Sequence, residues 1–228
     1  MTLKVRIGRQ PGKTLLWLLI RRILPPFRGE LGIDLAGGSM LNRHLFSTRR
    51  YLVVDIDQTK LNEGWSRHPD AEVIIGRIQE QSMLRGNLVV CLQTIGINTH
   101  FEAEEWLEVI GQMVRMTSPG GNLVFNVGDN LPVPLGHADK KIAAVLEASF
   151  TWVKVRRYGA LSDNYWNEKV PRWLNFLMAY ILYCVPAMRN CFGLCTTRVL
   201  YEARLLPSWS APARRPVRAA ANLWSSGG

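Results

Sequence analysis

The sequence predicts an α/β fold, a mainly parallel sheet of seven strands with helices on both faces. Three observations predict it. Short apolar runs at 31–35, 51–55, 72–76 and 87–92 alternate with helix-compatible stretches through the first two-thirds of the chain. The run at 87–92 is apolar almost throughout, as a strand covered on both faces requires. Finally, Ala36-Gly37-Gly38 separates a first run containing Asp34 from a second run ending at Asp55. That is the strand–turn–helix–strand layout of a nucleotide crevice. Small residues let the backbone approach a ligand, and an acid about 20 residues on reaches a ribose diol.

Taken in order, residues 13–24 read as a helix with Leu15, Leu16, Leu19 and Ile23 on one side, stopped by Pro25-Pro26. It is expected against the sheet edge or at the crevice entrance; the alternative is a basic amphipathic helix at a membrane surface. The first strand, 31–35, feeds a helix near 39–47, and the second strand is 51–55. Residues 58–65 look helical until His68-Pro69-Asp70, then strands follow at 72–76 and 87–92. Residues 101–116 place apolar groups at 106, 107, 110, 113 and 114, with four glutamates on the outer face toward the N-terminus. Ser118-Pro119-Gly120-Gly121 ends that helix before a strand at 122–127. A helix at 137–149 and strands at 151–157 and 197–205 complete the set, the last two strands separated by a long insertion.

Charge divides the chain. The net charge is +10, yet residues 1–28 hold seven basic residues and no acid, and 206–228 hold three and no acid. The body between them balances at 18 of each sign, which argues against a nucleic-acid groove across the fold. Basic ends suit either an anionic lipid surface or plain solubility. The expected organisation is a basic segment with an amphipathic helix at 1–28, a domain at 29–205, and a disordered basic tail at 206–228.

The insertion, about 170–195, contains sixteen uncharged residues from Trp173 to Met188 between Arg172 and Arg189. A span needs about 20 apolar residues, and Pro186 shortens this run. An interfacial helix, a lid over an apolar substrate, a dimer contact and a helix packed on the sheet all remain open, as does oligomerisation. Cys184, Cys191 and Cys195 lack a nearby histidine, so no metal site is expected, and four cysteines fit a reducing, cytoplasmic setting. The basic ends and residues 172–189 suit peripheral contact at the membrane surface. The N-terminal apolar run is short and lacks the form of a signal peptide.

In this order the pieces resemble the class I S-adenosylmethionine-dependent methyltransferases over about residues 13–205. The family's Asp-x-Gly-x-Gly-x-Gly motif falls on Asp34-Leu35-Ala36-Gly37-Gly38-Ser39-Met40, with alanine and methionine at two glycine positions. Tyr51 to Asp57 looks like its second strand, Pro119-Gly120-Gly121 like its turn into strand five, and 137–150 followed by Trp152 like the helix and aromatic turn before strand six. The resemblance implies a Rossmann-like fold and S-adenosylmethionine as cofactor. It implies that Asp34, Ala36, Gly37, Gly38, Asp55, Ile56, Ile78, Gln93 and Thr94 hold that cofactor. Arg77 stands where many relatives carry an acid for the adenine amino group, and a guanidinium cannot accept a hydrogen bond; backbone atoms, Gln79 or Glu80 are the substitutes.

Transfer from a methyl sulfonium needs an acceptor held in line, and for oxygen acceptors often a base. His100 and His137 are the candidate bases, although each also reads as a residue at a helix start. A helix beginning after Gly38 is expected to aim backbone N–H groups at the cofactor's carboxylate. The apolar insertion and basic ends favour a small or lipid-linked acceptor. The alternative is a catalytically inactive chain of this fold that serves as a membrane-associated interaction or scaffold protein.

Overall fold

A computed structural model describes residues 11–23, 29–97, 105–128, 130–161, 171–185 and 195–204. In chain order the elements are α1 (Pro11–Ile23), β1 (Leu31–Leu35), β2 (Arg50–Asp55), α2 (Gln58–Arg67), β3 (Glu72–Ile75) and β4 (Gly86–Cys91). They continue with α3 (Glu105–Met116), β5 (Thr117–Val127), α4 (Leu135–Glu147), β6 (Trp152–Leu161), α5 (Arg172–Cys184) and β7 (Cys195–Arg204). The seven strands form one sheet in the order β3-β2-β1-β4-β5-β7-β6. The pairs among β1 to β5 are parallel, whereas β7 runs antiparallel to both β5 and β6. The order reverses between β1 and β4, and in open α/β sheets ligands bind outside the carboxyl ends of the strands at such a switch point.

Strand alternation divides the core in two. Ile33, Leu35, Val89, Leu123 and Phe125 face α3 and α4, where Trp106, Ile110, Met113, Ile142 and Leu146 are fully buried. Tyr51, Val53, Leu88, Val90 and Leu200 face the other way, toward Leu15, Leu16, Trp17 and Ile20 of α1 and Ala179 and Leu182 of α5. The N-terminal helix is therefore a core element. It packs beside α5 and against β6, the edge strand, with its buried side chains continuing into the core on that sheet face.

The helix expected at 39–47 is absent. The chain passes through turns at 38–42 and one short 3-10 helix at Arg43–Leu45. Only 14 residues separate β1 from β2, and Met40 takes a left-handed backbone with φ of 58°, which a continuing right-handed helix excludes. The sheet face such a helix would cover is filled by α1, Leu45 and Phe46. The remaining elements fall within a few residues of expectation, except that β5 starts earlier, at Thr117, with a register shift between its pairings to Gly86 and Leu88. The expected beginning of α3 at 101–104, the tail from 206 and most of the insertion flanking α5 lie outside the described residues.

Candidate functional site

Asp55 ends β2, the strand next to the β1/β4 switch point, and is half-buried. Its Oδ2 accepts a hydrogen bond from the Gly38 N–H at 2.8 Å, and its Oδ1 accepts one from the Asp57 N–H at 2.9 Å. One carboxylate thus ties the tip of β2 to the turn after β1. The turn needs its glycines. Gly38 has φ of +45°, and a Cβ on Gly37 would stand 2.7 Å from Val53 Cγ1 and 2.8 Å from the Asp34 carboxylate. A Cβ on Gly38 would meet only the Lys60 stem at 3.4 Å and Asp55 Oδ2 at 3.5 Å, so the turn's strain is conformational on that side.

Asp57 begins α2, where its Oδ1 accepts from the Lys60 N–H at 3.0 Å and its Oδ2 meets the Lys60 ammonium at 2.9 Å. That amide and ammonium hold the Asp57 carboxyl below the usual carboxylate range. The α2 helix sits close to the turn because Gly64 has no side chain; a Cβ there would lie 2.7 Å from Met40 Cγ and 2.9 Å from the Ser39 carbonyl carbon. Gly64 was not singled out from the sequence, where one glycine inside a helical stretch reads only as a weak helix former.

Asp34 lies beneath this turn with no exposed surface. Its Oδ2 accepts from the Tyr51 hydroxyl at 2.8 Å and its Oδ1 from the Asn42 amide at 3.2 Å, while Asn42 Oδ1 accepts from the Trp17 indole N–H at 3.3 Å. Burial pushes its pKa up to about 7 against the opposing pull of these two donors. Burial, and then the neighbouring Asp34, also raise the Tyr51 hydroxyl. Asp34 therefore positions the turn from below and does not face the crevice. The sequence carried the signal: Asp34 alternates with Ile33 and Leu35, so it points to the opposite sheet face.

The two departures from the glycine pattern both stand at left-handed positions, Ala36 with φ of 51° and Met40 with φ of 58°. Met40 is thus not at ordinary helical dihedrals, and the expected helix N-terminus for a ligand carboxylate does not form. Each such residue costs roughly 1–2 kcal/mol of backbone strain. Buried contacts hold Met40 there, since its side chain is fully enclosed against Gly64 and the α1-side core.

Along the rest of the crevice, Ile56 follows Asp55 with its side chain 70 % exposed. Ile78 is half-buried and packs on the α3-side core. Gln79 donates to Glu105 at 3.1 Å, and Glu80 turns back to accept from the Arg77 N–H at 3.3 Å, so both substitutes for an adenine-binding acid have local partners. After β4, Gln93 has φ of 61° and its N–H donates to Asn126 Oδ1 at 2.8 Å; Asn126 in turn donates to the Tyr158 hydroxyl at 2.9 Å. Thr94 is buried and donates to the Leu92 carbonyl at 3.2 Å. His137 is exposed in the first turn of α4. His100, Asn98 and Asp129 lie outside the described residues.

No protein-family profile and no curated protein matches the sequence. Solved structures do resemble the fold. The YcgJ protein of Bacillus subtilis aligns with a TM-score of 0.57 at 11 % identity, over 84 % of this chain and 98 % of its own. A methyltransferase assigned as such in Bacillus halodurans C-125 aligns at 0.53 and 14 %, over 86 % and 100 %. The plantazolicin methyltransferase BamL, solved with S-adenosylhomocysteine (SAH), aligns at 0.51 and 6 %, over 85 % and 84 %. The fold is that of the class I methyltransferases, a seven-stranded Rossmann-like sheet with one antiparallel strand inserted near its edge.

Proposed function

We propose that the protein is an S-adenosylmethionine-dependent methyltransferase acting on a small or lipid-linked acceptor. The observation that carries the reading is the Asp55 carboxylate at the end of β2, fixed by the Gly38 and Asp57 amides beside the strand-order switch. The solved methyltransferases of the same fold, BamL with SAH among them, support it. The residues present fit an adenosyl group. Asp55 has acceptor capacity beyond its two amide donors for a ribose diol, and exposed Ile56 offers an apolar face to a base. Ile78, Gln93 and Thr94 border the same crevice from the ends of β3 and β4.

When bound, the cofactor supplies an already activated methyl group. What the chain contributes is binding and orientation, which is worth roughly 7–11 kcal/mol in favourable intramolecular systems. The backbone at Gly37 and Gly38 fixes the floor of the crevice, with Asp34 locking that floor from below. Asn126 holds the Gln93 amide in place at the tip of β4. His137, open to solvent in the first turn of α4, is the described residue available to take a proton from an oxygen acceptor.

Calorimetric titration of S-adenosylmethionine into the intact chain is expected to show one site, lost in Gly38→Val and Asp55→Ala. Circular dichroism checks that both variants fold. Undetectable binding by the unmodified chain removes the proposal.

A second reading has its own observation. Ala36 and Met40 occupy left-handed positions where the family pattern has glycine, so the turn is strained as built. That favours a chain of this fold acting as a membrane-associated interaction protein without turnover. A transfer product detected by mass spectrometry from any acceptor panel excludes it.

A further inference from the structure

We infer that the outer face of α5 docks on an anionic lipid surface. The inner face of α5 buries Asn175, Ala179 and Leu182, and the helix packs chiefly on α1. The outer face presents Trp173, Leu177, Tyr180 and Cys184, spaced four, three and four residues apart, so they form one stripe along the helix. Trp173 is 65 % exposed, Tyr180 48 % and Leu177 43 %; Val185, just beyond the helix, extends the stripe at 43 %. A helix face turned to water ordinarily carries charge. Here the run from Trp173 to Met188 has none.

Charge, residue type and length all select lipid. Between 169 and 201 the chain carries four basic residues and no acid. The neighbouring helix α1 ends in Arg21 and Arg22, with Arg22 exposed, and Arg172 is exposed at the start of α5. Two copies meeting through this face would bring like charges together, whereas anionic headgroups neutralise them. Trp and Tyr are the side chains that settle at the headgroup level, apolar body inward and polar tip outward. With 13 residues, α5 is well short of the about 20 needed to span, so it would lie in the plane of the interface. Among the described residues no helix is long and apolar enough to cross a membrane.

The test is sedimentation of the full chain with phosphatidylcholine vesicles, with or without an equal share of phosphatidylglycerol, at low salt. Partitioning onto the anionic vesicles is expected to exceed that onto neutral ones at least about tenfold. The triple variant W173S/L177S/Y180S is expected to lower it by a similar factor, with Arg172→Glu and added salt each weakening it further. These side chains are exposed, and circular dichroism with S-adenosylmethionine titration reports that the variants keep their fold. The proposal is overturned by equal partitioning onto both vesicles, by no pelleting at low salt, or by pelleting that the triple variant leaves unchanged. Self-association that the triple variant abolishes, without vesicle binding, would also overturn it and assign the stripe to a second copy. Failure of the unmodified chain to bind S-adenosylmethionine would remove the methyltransferase reading and leave this one standing.

Discussion

On one face of the sheet, α3 and α4 bury Trp106, Ile110, Met113 and Leu146 against Ile33, Val89 and Phe125. On the other, α1 and α5 share their burial with Asp34, Asn42, Tyr51, Asn126 and Glu202. The first face has buried polar groups too: Gln112 donates to the Gln81 carbonyl, Thr117 to the Met113 carbonyl and the Tyr201 hydroxyl to Asp139, while the Trp106 indole N–H is buried without a partner among the described residues. The second face joins side chain to side chain across elements, through Trp17–Asn42–Asp34–Tyr51 and Gln93–Asn126–Tyr158. It also holds the fully buried Glu202 between Arg156 at 2.8 Å and Arg204 at 2.6 Å. The face that supports the turn after β1 therefore carries the longer chains of linked donors and acceptors. A packed apolar face loses stability in proportion to the volume removed, whereas a polar network loses it when one partner leaves another unsatisfied.

Two substitutions sharpen this contrast. Trp106→Ala, on the apolar face, carries the largest expected effect, a loss of roughly 3–5 kcal/mol in denaturant unfolding. S-adenosylmethionine affinity is expected to stay within a few-fold wherever the variant remains folded. Tyr51→Phe removes a single hydroxyl and is expected to cost about 1–3 kcal/mol, because Asp34 Oδ2 loses its donor inside the core. Unlike the first, it should weaken S-adenosylmethionine binding, since the Asp34 carboxyl that packs under Gly37 is then held by Asn42 alone. Equal effects of the two variants on binding would break the contrast.

The same carboxyl gives the polar face a pH dependence. Asp34 titrates near 3.8 in the unfolded chain and at about 7 when folded, so the folded state holds its proton through the interval between. The stability this contributes is complete below the unfolded value and is lost as pH rises through the folded value. Relative to Asp34→Asn, the unmodified chain should lose up to about 2 kcal/mol between about pH 5 and about pH 7. Parallel stability curves for the two proteins over that range would show that burial does not raise this carboxyl. The smallest effect is expected at the turn itself. Ala36→Gly removes a left-handed strain at a half-buried position, and should stabilise by up to about 1 kcal/mol after the added freedom of the unfolded chain is counted. A lower melting temperature would mean that the alanine methyl makes a compensating contact.

The apolar face was legible in the sequence because its signals are periodic: every second residue of Ile33–Leu35 and Leu123–Val127, and the helical repeat of 106, 110 and 113. The crevice was legible through Gly37, Gly38 and Asp55, where backbone geometry restricts residue type and strand ends fix position. Asp34 was legible as a residue but not in its role. A motif gives spacing along the chain, whereas its burial depends on Asn42, Tyr51 and Trp17, which come from three other segments.

From the sequence alone came the α/β class, the strand positions and the turn, because those follow from local periodicity and the conformational demands of glycine. The tertiary structure alone decided that the stretch after Gly38 stays out of a helix, that α1 takes over that face of the sheet, and that α5 turns Trp173, Leu177 and Tyr180 outward. Local propensity at 39–47 favours a helix, but Met40 takes a left-handed backbone packed against Gly64 of α2, and the segment meets the sheet through Leu45 and Phe46 instead. Competition between distant segments for the same apolar surface is settled only when all of them are present.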